Sequence, residues 1–120
     1  MKVLTEAQRA VMLANGRKQA QAQAQGEGLD FPPVVKLFNP CGAATWLLSE
    51  LDPENPDIAF GLCDLGMGCP ELGSVSLSEM ASYRGRVGLG IERDYHFTAR
   101  APISEYASEA RKAERIVEHW

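Results

Sequence analysis

The side chains in this sequence with the clearest catalytic potential are carboxylates and one histidine, all placed at the ends of apolar segments. Glu50 and Asp52 are two residues apart, so they share one face of an extended strand. Asp94 and His96 have the same spacing, and Asp64 ends the apolar segment that follows Asp52. Divalent cations in phosphodiester enzymes are held by clustered carboxylates, sometimes with a histidine. These five residues are therefore the candidates for a catalytic site.

The same spacing also has an ordinary structural explanation. Every amphipathic strand places polar residues two apart, and Asp52 and Asp64 lie at predicted turns, where Asp commonly bonds to nearby backbone. We therefore expect that Glu50 and these two residues do not meet Asp94 and His96 around a common ion. We predict no cofactor, leave any metal open, and favour a role that is not enzymatic.

The charge of the chain is unevenly distributed. There are 12 Lys and Arg against 16 Asp and Glu, a net charge of −4, and no Lys or Arg occurs between Leu37 and Tyr83. That acidic stretch contains seven carboxylates: Glu50, Asp52, Glu54, Asp57, Asp64, Glu71 and Glu79. Negative charge repels phosphate, so we expect a basic protein partner and no affinity for duplex DNA. The simpler alternative is a solvated surface that serves solubility.

Four residues of the acidic stretch are candidates for contacts with such a partner. Glu54 and Asp57 lie in a predicted turn, and Glu71 begins a predicted strand. Trp46 is a candidate aromatic anchor, since Trp is enriched at the energetic centres of interfaces. Strand alternation gives it the same face as Leu48 and Glu50, however, and a place in the core is the favoured interpretation.

Cysteine usage and apolar segments limit the class of protein. Cys41, Cys63 and Cys69 lack the spacing of a zinc site, and their odd number predicts reduced thiols in the cytoplasm, used as small apolar filler. The glycine-rich loop before Pro70 predicts a strand connection, because a nucleotide-binding loop needs backbone N–H groups there. The apolar segments are far shorter than the roughly 20 residues that cross a bilayer, so we expect no membrane segment.

Helices are predicted at both ends of the chain. Thr5 and Gln8 form a capping-box pattern, and Asn15-Gly16 is a plausible helix end. Arg17, Lys18 and the alternating Ala/Gln tract of residues 19–25 then predict an exposed helical extension. Pro102 opens the final helix. Its predicted apolar side consists of Tyr106, Ala107, Ala110, Ala113, Ile116 and Val117.

Five short β-rich segments separate these helices. They are residues 34–38, 45–51, 58–64, 71–77 and 91–98. A capping box from Ser76 to Glu79 opens one short internal helix after the fourth segment. Consecutive strands without helical crossovers predict an α+β fold, with an antiparallel sheet of about four to five strands and a helix at each end.

We expect these elements to form a single domain over residues 1–120. Residues 1–26 are the N-terminal helical segment. Residues 31–120 form the sheet and the C-terminal helix.

Several of these segments together resemble a known family. They are residues 34–38, 45–53, 59–66, 70–79 and 91–97. The series resembles a small bacterial family, a domain of unknown function often encoded on plasmids and integrative conjugative elements. The resemblance extends from Leu4 to about Ile116. Its most specific part is Glu71-Leu72-Gly73 followed by Ser76-Leu77-Ser78-Glu79.

The resemblance implies a context rather than an activity. It implies a cytoplasmic accessory protein of a bacterial mobile element, and we expect this protein to act by protein–protein interaction through an acidic face. One alternative is a metal-dependent nuclease or other phosphodiester enzyme that uses the clustered carboxylates. The other is a nucleic-acid-binding accessory protein that uses Arg84, Arg86 and Arg93. The first class is favoured because no catalytic triad or metal-ligand spacing occurs and the central charge has the wrong sign for DNA.

Overall fold

The computed structural model describes residues 3–120, which form an antiparallel sheet of five strands together with three α-helices. The elements follow in the order α1 Glu6–Ala24, β1 Val35–Phe38, β2 Thr45–Leu51, β3 Ile58–Asp64, β4 Glu71–Ser76, α2 Leu77–Ser82, β5 Glu92–Arg93 and α3 Ile103–Ala113. The strands lie side by side in the order β4-β3-β2-β1-β5, with every neighbouring pair antiparallel. The predicted α+β fold, with a helix at each end and one short internal helix, is confirmed.

The sheet carries apolar side chains on both faces, and each face has its own core. On one face, strand residues including Leu48 and Leu51 pack with α1 and α2. On the other face, Leu47 and Leu62 pack against α3. Because successive side chains of a strand point to opposite faces, adjacent Leu47 and Leu48 belong to different cores. The central strand β2 is therefore buried from both sides.

The first helix is continuous, and the prediction that it ends at Asn15-Gly16 is wrong. The predicted capping box of Thr5 and Gln8 is present. Gly16 is buried where α1 crosses β2, and a Cβ added there would lie 1.7 Å from the carbonyl oxygen of Leu51. Glycine is required at this point because the backbones of the helix and the strand approach each other closely, not because the helix stops.

Two further elements are shorter than predicted. The segment at 91–98 contributes only the two residues of β5, because Asp94 turns the chain: its Oδ1 accepts a hydrogen bond from the backbone N–H of His96 at 2.8 Å. The last helix ends at Ala113, since Glu114 adopts a left-handed conformation with φ of 61°. Ile116 therefore belongs to a C-terminal tail rather than to the helix.

The tail of residues 115–120 folds back over the α3 core. The N–H of Ile116 donates to Asp64 Oδ2 at 3.0 Å, and Lys36 Nζ donates to Glu118 Oε2 at 2.5 Å. The Trp120 ring meets Tyr106 edge-on, with 4.9 Å between the ring centroids. These contacts attach the tail to β1, β3 and α3. Within residues 3–120, no helix has the length and apolar character to cross a membrane.

The close approach at Gly16 makes a stability prediction. Replacing an exposed helical glycine by alanine normally stabilises a helix by roughly 0.5–1 kcal/mol. Gly16→Ala should instead lower the free energy of unfolding by about 1–3 kcal/mol, because its Cβ would overlap backbone that cannot move cheaply. Urea denaturation measures the change. Gly28→Ala is the control, since nothing lies within 4 Å of a Cβ there. A stabilised Gly16→Ala protein would contradict the proposed packing.

Candidate functional site

The five carboxylate and histidine candidates do not meet at one point. In the β2–β3 ladder Glu50 pairs with Phe60, whereas Asp64 pairs with Thr45 at the opposite end. Four residue steps along β3 separate these positions, which is roughly 13 Å at 3.3 Å per residue. Within residues 3–120, no group of three or more His, Cys, Asp or Glu side chains could hold a metal ion. The structure does not bring the candidates together.

Asp64 and Asp94 have structural contacts that account for their positions. Asp64 is 4% exposed, and its two oxygens accept the N–H groups of Gly66 and Ile116 at 2.9 and 3.0 Å. Asp94 turns the chain, as described above, and also pairs with Lys36 at 3.5 Å. Asp64 thus joins the end of β3 to the C-terminal tail, and Asp94 ends β5.

Two of the predicted partner contacts are occupied within the protein. Trp46 is 8% exposed and packs in the core beneath α1, so it presents no ring to a partner. The Asp57 carboxylate accepts hydrogen bonds from the hydroxyl groups of Ser76 and Ser78, at 2.7 and 2.9 Å, and from the Ser78 N–H. The two serine hydroxyls are the main reason that the pKa of Asp57 is lowered. Asp57 therefore anchors the start of α2.

The Ser76 half of the predicted capping box is present, since the Ser76 hydroxyl accepts from the N–H of Glu79 at 3.2 Å.

The interpretation of all three cysteines as apolar filler is wrong for Cys41 and Cys69, which are exposed. Cys63 is half-buried, and burial raises the pKa of its thiol. The glycine-rich loop connects β3 to β4 as predicted.

The acidic stretch does not form a single face. Glu50 and Asp64 are buried at opposite ends of the sheet. Glu71 pairs with Cys63, at the end of β4 remote from the turn that joins β2 to β3. Asp52 and Glu54 lie in that turn, close to Glu50 in sequence and exposed. The negative charge available to a partner is thus concentrated at the Glu50 end of the sheet.

A groove of about 950 Å³ opens at this end. Its floor is the α3 face of β3 and β4, and its walls are the C-terminal half of α1, the turn between β2 and β3, and the start of α3. All the titratable side chains that line it are carboxylates, and no Lys, Arg or His is among its lining residues. The four carboxylates are Asp30, Glu50, Asp52 and Glu54. We call it the acidic groove.

A β-bulge directs Glu50 into the acidic groove. The pairing of β2 with β3 shifts between Leu48, which faces Gly61, and Glu50, which faces Phe60. The extra residue is Ser49, and it inverts the alternation of side chains beyond it. The expectation that Trp46 and Glu50 share a face is therefore wrong. Glu50 lies on the α3 face, and the next residue fills the α1 core instead.

Glu50 is the most deeply placed charge in the acidic groove. Glu50 is only 9% exposed, and its Oε1 accepts a hydrogen bond from Gln19 Nε2 at 3.2 Å. Among residues 3–120, Oε2 has no hydrogen-bond partner. Burial raises the pKa of Glu50, and the bond from Gln19 offsets part of that effect.

Gln19 is itself fixed by the backbone of Leu29. The Leu29 N–H donates to Gln19 Oε1 at 2.9 Å, and Gln19 Nε2 donates to the Leu29 carbonyl at 2.8 Å. Close by, Asp30 accepts from the N–H and hydroxyl of Ser104 at the start of α3, at 3.1 and 2.5 Å. The walls of the acidic groove are thus tied to both helices by hydrogen bonds within the protein.

Comparison with known families identifies the domain. The model described as "Protein of unknown function (DUF2958)" matches residues 3–117. The chain belongs to this family. The resemblance to a domain of unknown function is therefore confirmed, and it covers nearly all of the chain. Searches of curated proteins and of solved structures give no match.

Gln19 and Asp30 are part of the site in this DUF2958 domain, but sequence reasoning did not select them. Met12, Gly16 and Gln19 follow the i, i+4, i+7 spacing of one helix face, which indicates that Gln19 faces the sheet. That signal was available, although the Ala/Gln tract around it indicates exposure. Asp30 has no local signal, because its partner Ser104 is 74 residues away.

Glu50 should reduce stability at neutral pH. Burial raises the pKa of Glu50 in the folded state. The contribution of Glu50 to the free energy of unfolding is therefore fully present below its unfolded-state pKa, and it is lost as the pH rises through its folded-state pKa. Glu50→Gln removes the charge, so its melting temperature should exceed that of the wild type at pH 7, and the difference should vanish near about pH 4. Thermal denaturation at both pH values measures this. Glu54→Gln is the exposed control, and equal behaviour of the two variants would contradict the desolvation of Glu50.

Asp64 should behave as a structural residue. Asp64→Ala leaves two backbone N–H groups without their acceptor, so the free energy of unfolding should fall by about 2 kcal/mol or more. Asp52→Ala, in an exposed turn, should change it by less than about 1 kcal/mol. Urea denaturation compares the two. A fully stable Asp64→Ala protein would return Asp64 to the list of functional candidates.

Proposed function

We propose that this chain is a cytoplasmic accessory protein of a bacterial mobile element, and that it acts by binding a basic protein partner in the acidic groove. The sequence resemblance to a family often encoded on plasmids and integrative conjugative elements supports the context. The observation that carries the mode of action is Glu50, a buried carboxylate with one unbonded oxygen in a groove lined by no basic residue.

Two physical effects support a positively charged occupant. First, the carboxylates of Asp30, Asp52 and Glu54 add to the potential of Glu50, and a concave site with low-dielectric walls strengthens that potential. Second, burial removes part of the hydration of the Glu50 carboxylate, and no basic side chain among residues 3–120 lines the acidic groove to pair with it. A cationic side chain supplies the missing charge and hydrogen bond. Phosphate has the opposite effect, so duplex DNA is excluded from this site.

Two of the three arginines of the nucleic-acid alternative donate hydrogen bonds to the protein's own backbone. Arg84 donates to the carbonyl groups of Ala81 and Tyr83, at 2.9 and 2.7 Å. Arg93 donates to the Val3 carbonyl at 3.2 Å. These contacts direct both guanidinium groups to the protein's own backbone. Glu50 and Asp64 lie at opposite ends of the sheet, so the carboxylate set of the phosphodiester alternative is not assembled.

Electrostatic steering by the rim of the acidic groove gives the test. A partner captured from the native host is identified by mass spectrometry, purified, and its association rate measured by surface plasmon resonance. Glu54→Lys should slow association about tenfold at low salt, with little effect at 0.5 M salt, because exposed charges are screened beyond about 10 Å at 0.1 M. Glu54 is a better position for this substitution than Asp57, because Asp57 anchors the start of α2 and its replacement would disturb the fold.

Glu71→Lys is the matched control for this measurement. It makes the same change in net charge on an exposed residue, but at the other end of β4. Association should be slowed far less than by Glu54→Lys. Equal slowing by both variants would assign the effect to net charge instead of the acidic groove. A gel shift with duplex DNA at about 150 mM salt would argue against the proposal altogether.

A further inference from the structure

We infer that Glu50 is the recognition subsite for one arginine side chain of the partner, presented by an extended segment with an apolar residue two positions away. The inference rests on the proposed function and specifies its ligand chemistry. It depends on three features of the acidic groove: the unbonded oxygen of Glu50, the aromatic neighbour of Glu50, and the apolar surface between Glu50 and the edge of the sheet.

The first feature, the unbonded oxygen of Glu50, indicates that the ligand group which meets Glu50 carries one positive charge. Gln19 uses both of its amide hydrogens, one on Glu50 Oε1 and one on the carbonyl of Leu29. It therefore holds the carboxylate in one orientation and has no donor left for Oε2. One cationic donor can form a hydrogen bond to Oε2. A charge-assisted hydrogen bond of this kind is about twice as strong as a neutral one.

The second feature favours arginine over lysine. Phe60 is the direct cross-strand partner of Glu50, so the Cβ atoms of the two residues are about 5 Å apart on the same face. Phe60 is half-buried and lines the acidic groove. A guanidinium group is planar and weakly hydrated, so it can rest on an aromatic ring and donate to a carboxylate at the same time. An ammonium group is more strongly hydrated and gains less there.

The third feature defines the neighbouring residue of the ligand. Ser74 of β4 pairs with Phe60, so Glu50, Phe60 and Ser74 cross the sheet in one row. Leu72, on the same face of β4, is 44% exposed and also lines the acidic groove. Two strand spacings separate Glu50 from β4, about 10 Å. An extended segment places side chains about 6.6 Å apart at positions i and i+2. The length of an arginine side chain covers the remaining distance, so the arginine can reach Glu50 while the apolar residue covers Leu72.

β4 is the terminal strand of the sheet, and its groove-lining residues Leu72 and Ser74 are exposed. An extended segment can therefore reach Glu50 over these two residues. The two possible directions of the segment place the apolar residue before or after the arginine. A symmetric probe satisfies both directions.

The probe is the peptide acetyl-Leu-Ser-Arg-Ser-Leu-amide, titrated into ¹⁵N-labelled protein and followed by NMR. Its matched control has citrulline in place of arginine, which keeps the shape and removes the charge. For the wild type, the arginine peptide should bind at least tenfold more tightly than the citrulline peptide. A lysine peptide should fall between them. Shifts should map to the side-chain amide of Gln19 and to Phe60 and Leu72.

Two variants make the test specific. Glu50→Gln keeps the shape of the side chain and should reduce the preference for arginine over citrulline to less than twofold. Leu72→Ser should weaken both peptides by a similar factor and leave that preference in place. Backbone NMR spectra confirm that each variant is folded.

Several outcomes would overturn the inference. They are no binding of the arginine peptide, equal binding of the citrulline peptide, a preference unchanged by Glu50→Gln, or shifts outside the acidic groove. If any of these occurs while Glu54→Lys still slows the captured partner, the arginine subsite is wrong and the proposed function stands. If Glu54→Lys has no effect either, both fail.

Discussion

One extra residue in the central strand determines where the charge of this protein lies. Ser49 forms a bulge in β2, and its carbonyl accepts a hydrogen bond from Asn15 Nδ2 of α1 at 2.9 Å. The next residue, Gly16, lets the backbone of α1 rest against Leu51. The helix therefore holds the strand on both sides of the point where its alternation inverts. As a result Leu51 completes the α1 core and Glu50 turns to the opposite face.

Two buried carboxylates in the same sheet differ in how completely hydrogen bonds compensate their burial. Asp64 has both oxygens bonded to backbone N–H groups, so its desolvation is compensated and its role in joining the tail to β3 is complete. Glu50 has one oxygen bonded to Gln19 and one that faces the acidic groove, and burial raises its pKa. A carboxylate in that state reduces stability, because its desolvation is compensated less completely than that of Asp64.

Local patterns predicted the elements of this fold better than their contacts. The strands at 45–51 and 58–64 have the predicted bounds, because dense turn residues separate two strongly apolar segments. The predicted helix end at Asn15-Gly16 is wrong because the same pair suits either a helix end or a close crossing of two backbones. Only the position of the neighbouring strand distinguishes the two. The bulge at Ser49 has no local signature, so strict alternation placed Glu50 on the wrong face. Contacts such as Gln19 with Glu50 join residues 31 positions apart, beyond the range of any periodic pattern.

The net charge of −4 says little about what this surface can bind, because folding redistributes the charges. Seven carboxylates in the acidic stretch suggested one broad face, yet two are buried and a third anchors α2. Asp30 lies outside that stretch and joins the acidic groove through its contact with α3. What distinguishes the acidic groove is the absence of basic side chains among its lining residues rather than the abundance of acidic ones. Pairs such as Lys36 with Asp94 neutralise charge elsewhere, whereas none of the basic side chains that the structure describes lines the acidic groove to compensate its field.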